Sequence, residues 1–327
     1  MPRRQPGSRD PMTTRTRKPS PDAHAAQLTG HGGFSLITNQ KLLQLYSTMV
    51  KCGRLEKQVR LLQKDMRAGN GKAGSGHEAA AVAVAIDLLA EDTIAPAPLD
   101  FLLNFIKGAP LTSVFRDLLA RTSSALPLAA KLDAAGAAAL ANKTKKNGKV
   151  VVAFLGDLPA SPDFLEEALH FAGVHQLPIL FVCRNGAISQ PRGRKKKARR
   201  QDLALQAQAH GVPCIPVDGD DAVALYRVAT ESIAHARKGN GPTLIECKTL
   251  DRLPQPKIAS GRQKSPLVSR RRTAGAPLKN MEEYLTRKGL FSKEIKRKAA
   301  DGFDGKMVAA IAEARSYDRR APIVLQL

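Results

Sequence analysis

Leu42, Leu45, Tyr46, Met49, Cys52, Leu55, Val59, Leu62 and Met66 recur at steps of three and four. That spacing lays one apolar stripe along a long helix, with Thr38 or Asn39 where its cap belongs. A Gly-rich break follows at 69–76. Residues 77–92 then predict a second helix, apolar on most faces and therefore buried.

From Lys149 the pattern alternates. Apolar runs at 150–155, 179–183, 214–217 and 243–247 each read as a short strand, and helical stretches at 163–173, 202–210 and 221–238 lie between them. Continuous apolar strands alternating with helices predict a parallel sheet covered on both faces, an α/β fold. Ligands in such sheets sit beyond the carboxyl ends of the strands. Two such ends carry polar chemistry: Gly156–Asp157, and Arg184–Asn185–Gly186. After Thr249 the chain turns polar, basic and Pro-rich, which predicts a long loop. Helices return over 278–291 and 292–316.

Residues 1–35 are rich in Arg, Pro, Ser, Thr and Gly and poor in apolar side chains, which predicts a disordered basic tail ahead of a domain over 36–327. The net charge is +23, and it gathers in the tail and in two basic loops, 191–200 and 252–276. Seven of the ten residues at 191–200 are basic, so these segments suit polyanions: an acidic protein, or nucleic acid bound without sequence preference. No aromatic residues interleave with the charges, so base stacking is not indicated. Four cysteines without a CxxC pair predict reduced, buried thiols. No apolar run approaches twenty residues, so no membrane span is expected. A cytoplasmic protein is the expectation, or one of the mitochondrial matrix if the tail is a transit peptide.

Five stretches, in order, carry a resemblance: LLQLYSTMVKCGRLEKQV; SGHEAAAVAVAIDLLAEDTI; VVVAFLGD with EEALHFAGVHQLPILFVCRN; HGVPCIPVDGDDAVALYRVA through GPTLIECKT; and PLKNMEEYLTRKGLFS. Together they resemble the alpha subunit of thiamine-diphosphate-dependent 2-oxo acid dehydrogenases, the first component of the pyruvate and branched-chain type. The resemblance implies a thiamine-diphosphate-binding-type fold with a helical N-terminal arm and C-terminal helices. It also implies a beta-subunit partner in a heterotetramer, and oxidative decarboxylation of a 2-oxo acid with acyl transfer to lipoamide. The cofactors implied are thiamine diphosphate and Mg, held in the family by a Gly-Asp-Gly turn and a later Asn-Asn pair. Gly156, Asp157 and Asn185 match those positions as cofactor-binding residues, with Asp157 and Asn185 as metal ligands.

Other positions depart from the family pattern. Leu158 replaces the second glycine, and Gly186 stands at the second Asn in an ungapped match. Ala97 to Leu102 replaces a Tyr-Arg pair and its following His, and Leu250 to Gln255 replaces a segment bearing an active-site His. These departures imply a chain of weakened or lost activity. They leave open an alternative, a non-catalytic paralogue whose basic loops hold an acidic protein or nucleic acid. Bland readings stand beside the sharp ones. Asp157 could cap the following helix, and Asn185–Gly186 could be a turn. His77 and Glu78 match a family segment that lies near the subunit interface, and could equally be first-turn residues, with Glu78 favoured there by the helix dipole. His170 and His175 have no partner spacing for a metal.

Overall fold

The computed structural model describes residues 37–65, 78–95, 100–120, 128–157, 163–186, 203–249 and 276–318. The expected tail 1–35, the Gly-rich break, His77, Leu158 and the loop 191–200 lie outside them, as does the loop 252–276 up to its last residue.

Helix α1, Asn39–Asp65, buries the predicted stripe from Leu42 to Leu62. The same stripe buries Glu56, at the position between Cys52 and Val59 that helical spacing reserves for an apolar residue. Helix α2, Glu78–Ala85, is buried at all eight positions, as its all-round apolar sequence requires. It is shorter than the predicted 77–92. The Asp92 carboxylate accepts the Leu89 N–H at 2.8 Å, which turns the chain out of the helix and into strand β1, Thr93–Ala95.

Helices α3, Asp100–Ile106, α4, Leu111–Leu119, and α5, Leu128–Lys145, follow. Then strands and helices alternate: β2 Val151–Asp157, α6 Asp163–Val174, β3 Ile179–Gly186, α7 Leu203–Ala209, β4 Cys214–Asp218, α8 Ala222–Arg237 and β5 Thr243–Thr249. Asp221 caps α8, its carboxylate accepting the N–H groups of Val223 and Ala224 at 3.0 Å each. Helices α9, Ala276–Arg287, α10, Lys293–Lys298, and α11, Phe303–Asp318, close the described chain.

The sheet has the order β1-β2-β3-β5-β4, with every pairing parallel. This is the α/β parallel sheet that the alternation predicts. On one face Val151, Ala153, Leu155, Ile179, Phe181, Cys183 and Leu244 share a core with Leu132, Leu165, Leu169 and Ala207 from α5, α6 and α7. Helix α8 packs against β3, β4 and β5, and α2 packs on α8. Both faces being covered is why the strands lack polar alternation.

Of the four cysteines, Cys52, Cys183 and Cys247 are buried and Cys214 is half-buried, and all four are free thiols. Cys214 departs from the expectation of burial because β4 is the edge strand, paired only to β5. Among the described residues no helix is long and apolar enough to cross a membrane.

Candidate functional site at the carboxyl ends of β2 and β3

Strands β2 and β3 run side by side, so their carboxyl ends open to the same edge of the sheet. The register shifts between Phe154 and Gly156, a bulge one residue long. Gly156 takes φ +65° there. A side chain in that left-handed region costs roughly 1–2 kcal/mol, so glycine is the residue the bend requires. Bulges of this kind re-aim a strand end. Beyond it, Gly156 pairs with Cys183 and Asp157 with Arg184.

Strand β3 continues past the predicted end at Cys183. Asn185 pairs with Lys248 and Gly186 with Thr249 of β5. Asn185–Gly186 is therefore strand, not a turn, because β5 offers a ladder for it. The three sequence-predicted positions Gly156, Asp157 and Asn185 thus come to neighbouring strand ends. The backbone fixes this placement; the side chains of Asp157 and Asn185 lie outside the described residues.

Sequence patterning also did not mark a group of buried charges on α1 and α2 that Arg184, at the end of β3, acts on electrostatically. Glu56 is 3% exposed and Glu78 is 5% exposed. Burial pushes the Glu56 carboxyl up to about 8, helped by the Glu78 charge and opposed by Arg60 and Arg184. Glu56 Oε1 has no hydrogen-bond partner among the described residues. The Cys52 thiol is pushed well up by burial, then by Glu56 and Glu78. Burial also raises Cys247 to about 12, while Arg184 pulls it down. Lys248 Nζ lies 3.6 Å from Glu246 Oε2, a carboxylate that is itself buried. The signal for Glu56 was available: an acid on an otherwise apolar helical stripe.

Other singled-out residues lie elsewhere. Glu78 is the first residue of α2, as the helix-dipole reading expects, but it is buried rather than solvated. His170 of α6 is exposed and meets His210 edge-on at 5.4 Å, and His210 Nε2 is 3.6 Å from Glu166 Oε1. His175 is exposed and packs edge-on against Phe171 at 4.7 Å. Both match surface histidines. Leu102 is buried in α3, while residues 97–99 lie outside the described residues. A groove of about 410 Å³ lies between α5 and α6, lined by Leu140, Phe171 and Ile179. It borders the amino-terminal half of β3, not the strand ends.

By residue type alone, Asp157 and Asn185 are of the kind a metal–diphosphate group would take. A carboxylate and an amide carbonyl are hard oxygen donors of the kind Mg takes, one or two at a time, with phosphate and water filling its shell. The left-handed Gly156 gives backbone a close approach, and helix α6 follows in the chain.

The family model described as Dehydrogenase E1 component matches residues 46–323. The chain is 29% identical over 307 residues to the pyruvate dehydrogenase E1 component subunit alpha of Staphylococcus aureus (strain Mu50 / ATCC 700699), covering 87% of this chain and 80% of that protein. Identity and coverage are the same for the protein of that name from Staphylococcus epidermidis (strain ATCC 12228 / FDA PCI 1200). With a parallel five-stranded sheet flanked by helices and a match over most of its length, the chain belongs to the dehydrogenase E1 component family, on its alpha-subunit side.

Proposed function

We propose that this chain is the alpha subunit of a thiamine-diphosphate-dependent 2-oxo acid dehydrogenase first component, and that its own catalytic contribution is weakened. It works with a beta subunit in the family's heterotetramer. The overall reaction is oxidative decarboxylation of a 2-oxo acid with acyl transfer to lipoamide.

The single observation that carries this reading is the backbone register that brings Gly156–Asp157 and Asn185 to adjacent strand ends, with Gly156 left-handed. Asp157 and Asn185 would supply the protein oxygens to Mg. When bound, thiamine diphosphate supplies the carbanion chemistry. The chain's part is to hold the diphosphate, exclude water and present the group to the partner subunit.

A second reading is a paralogue that keeps the fold and acts as a binding or regulatory subunit, its basic loops holding an acidic protein or nucleic acid. Leu158, Gly186 and the absence of histidine between Leu250 and Gln255 favour it. Fold and family are no guarantee of retained chemistry.

Calorimetric titration of thiamine diphosphate with Mg decides between the two, using the full chain with and without its beta subunit. The first reading expects magnesium-dependent binding that Asp157→Ala removes. Absence of binding by folded protein in both preparations would rule out the first and leave a family scaffold without its chemistry, whose basic segments are then the place to seek a partner.

A further inference from the structure

Because every strand pairing is parallel, the amino ends of β1, β2, β3 and β5 share the edge of the sheet opposite Asp157 and Gly186. Hydrogen bonds tie together the segments that feed this edge. Lys107 Nζ donates to the Ala90 carbonyl at 3.2 Å, Arg237 Nη1 to the Gly148 carbonyl at 2.8 Å, and Lys143 Nζ to the His175 carbonyl at 2.6 Å. Segments 90–92, 107–109, 143–149, 175–178 and 237–242 carry seven basic residues and two acidic ones. Arg237 and Asp92 pair with each other, which leaves six lysines, at 107, 143, 145, 146, 149 and 238, against Glu91. Lys143, Lys145, Lys146 and Lys238 are exposed. Helices α5, α6 and α8 end here, and each C-terminus carries roughly half a negative charge. Together with Glu91 these ends offset fewer than half of the six lysines, so the edge stays strongly positive.

A groove of about 330 Å³ opens onto the same edge, between α2 and α8. Val84, Leu89, Ile233 and Ala234 line it, and Arg237 and Lys238 bound it where α8 ends. Leu89 is 46% exposed, a large apolar side chain left to water. Asp87, the acid on the wall, is taken up by Lys41 at 2.7 Å and by the Tyr226 hydroxyl.

We propose that this edge is a docking surface for an acidic segment of another protein. An apolar side chain of the segment enters the groove beside Leu89, and its carboxylates lie over Lys238, Lys149 and the lysines of 143–146. The groove and the charge select the partner together. Carboxylates complement lysine, a point charge that asks for no bidentate geometry, and a protein segment can set an aliphatic side chain among them. Nucleic acid would be drawn to the lysines, but it brings no aliphatic side chain for the groove, and these segments hold no Phe, Tyr or Trp on which a base could stack. The inference uses the edge opposite the candidate site, so it stands apart from both readings of that site.

The test measures fluorescence anisotropy of labelled probes on the full chain with its beta subunit, at low and at physiological salt. The probes are a glutamate peptide with one central leucine, the same peptide with alanine in its place, and a single-stranded oligonucleotide of equal charge. The leucine peptide should bind about tenfold more tightly than the alanine one, the order of one buried apolar side chain, and should weaken as salt rises. Lys145→Glu combined with Lys146→Glu and Lys149→Glu should cut its affinity about tenfold at low salt. Ala234→Phe, which fills the groove, should make the two peptides equal. Lys195→Gln combined with Lys196→Gln and Lys197→Gln, in the separate basic loop, should leave the leucine preference in place. Circular dichroism confirms the fold of each variant, and the lysine reversals, all on the surface, decide the matter if Ala234→Phe does not fold. Equal affinity of wild type for the two peptides, or an affinity that the reversals leave unchanged, overturns the proposal. An oligonucleotide that binds more tightly than the leucine peptide and is released by the same reversals overturns it in favour of nucleic acid. Peptide binding by the chain alone that the beta subunit abolishes overturns it in favour of a subunit interface. Self-association of the chain that Ala234→Phe disrupts, seen in sedimentation, overturns it in favour of a second copy.

Discussion

Arg237 Nη2 lies 2.7 Å from Asp92 Oδ2, and its Nη1 donates to Asp92 Oδ1 at 3.0 Å and to the Gly148 carbonyl at 2.8 Å. The last turn of α8 is thereby fastened to the start of β1 and to the chain entering β2. Asp92 is fully buried and also accepts the N–H groups of Leu89 and Val150.

Asp92→Ala should destabilise the fold by about 2–4 kcal/mol, since it strands a guanidinium and two amides together. Arg237→Ala should cost a similar amount, because it leaves a buried carboxylate with two backbone N–H groups but no counter-charge. Burial pushes the Asp92 carboxyl up, but Arg237 and the two backbone N–H groups outweigh it and hold the group below its ordinary 3.8. Its contribution is then present above the unfolded value and lost as pH falls through the folded one. Urea unfolding should show wild type losing stability across that acid window and Asp92→Asn losing less.

Glu56 carries the opposite sign. Its folded value of about 8 stands above the ordinary 4.5, so the folded chain holds more protons than the unfolded one between them. Stability is greatest below the lower value, falls as pH rises through the window and levels off above about 8. Glu56→Gln should remove that slope and raise stability at alkaline pH, on the order of 2–4 kcal/mol. Denaturant midpoints at acid, neutral and alkaline pH would reveal it; parallel slopes in both proteins would refute it.

Gly173 permits a close crossing. A Cβ there would fall 1.9 Å from the His210 carbonyl oxygen and 3.1 Å from its carbon. Backbone cannot swing aside as a flexible side chain can. Gly173→Ala should therefore force α6 and the turn after α7 apart, at a cost of about 1–3 kcal/mol, read as a lowered midpoint in thermal or urea unfolding.

Gly156→Ala tests the strand-end bulge. The left-handed φ should cost roughly 1–2 kcal/mol of stability. A comparable loss in ligand binding, about tenfold, is expected for magnesium thiamine diphosphate if that bend presents backbone to diphosphate. Equal affinity in the variant would separate the bulge from binding.

Much of this protein is legible along the chain. The stripe on α1, the apolar strands and the acid-bearing strand end at Gly156–Asp157 follow from local spacing. Helix α5 was not visible because its sequence is largely alanine, whose weak hydrophobic contrast writes no clear stripe. The extension of β3 through Gly186 was not visible either, because an Asn-Gly pair favours a turn unless a neighbouring strand captures it, and β5 does so. The side chains that would complete the metal site, and the basic loops, lie outside the described residues.

The amino-acid order by itself determined the alternation of strand and helix, the need for a sheet buried on both faces, and kinship with a family. These depend on periodicity and on segments read in sequence. Only the tertiary structure decided that β5 lies between β3 and β4, that Arg237 reaches Asp92 across 145 residues, and that Glu56 shares its surroundings with Glu78 and Arg184. The reason is physical. Local spacing says which face of an element must leave water, whereas the partner that covers it, and the charges that partner brings, depend on how all the elements pack at once.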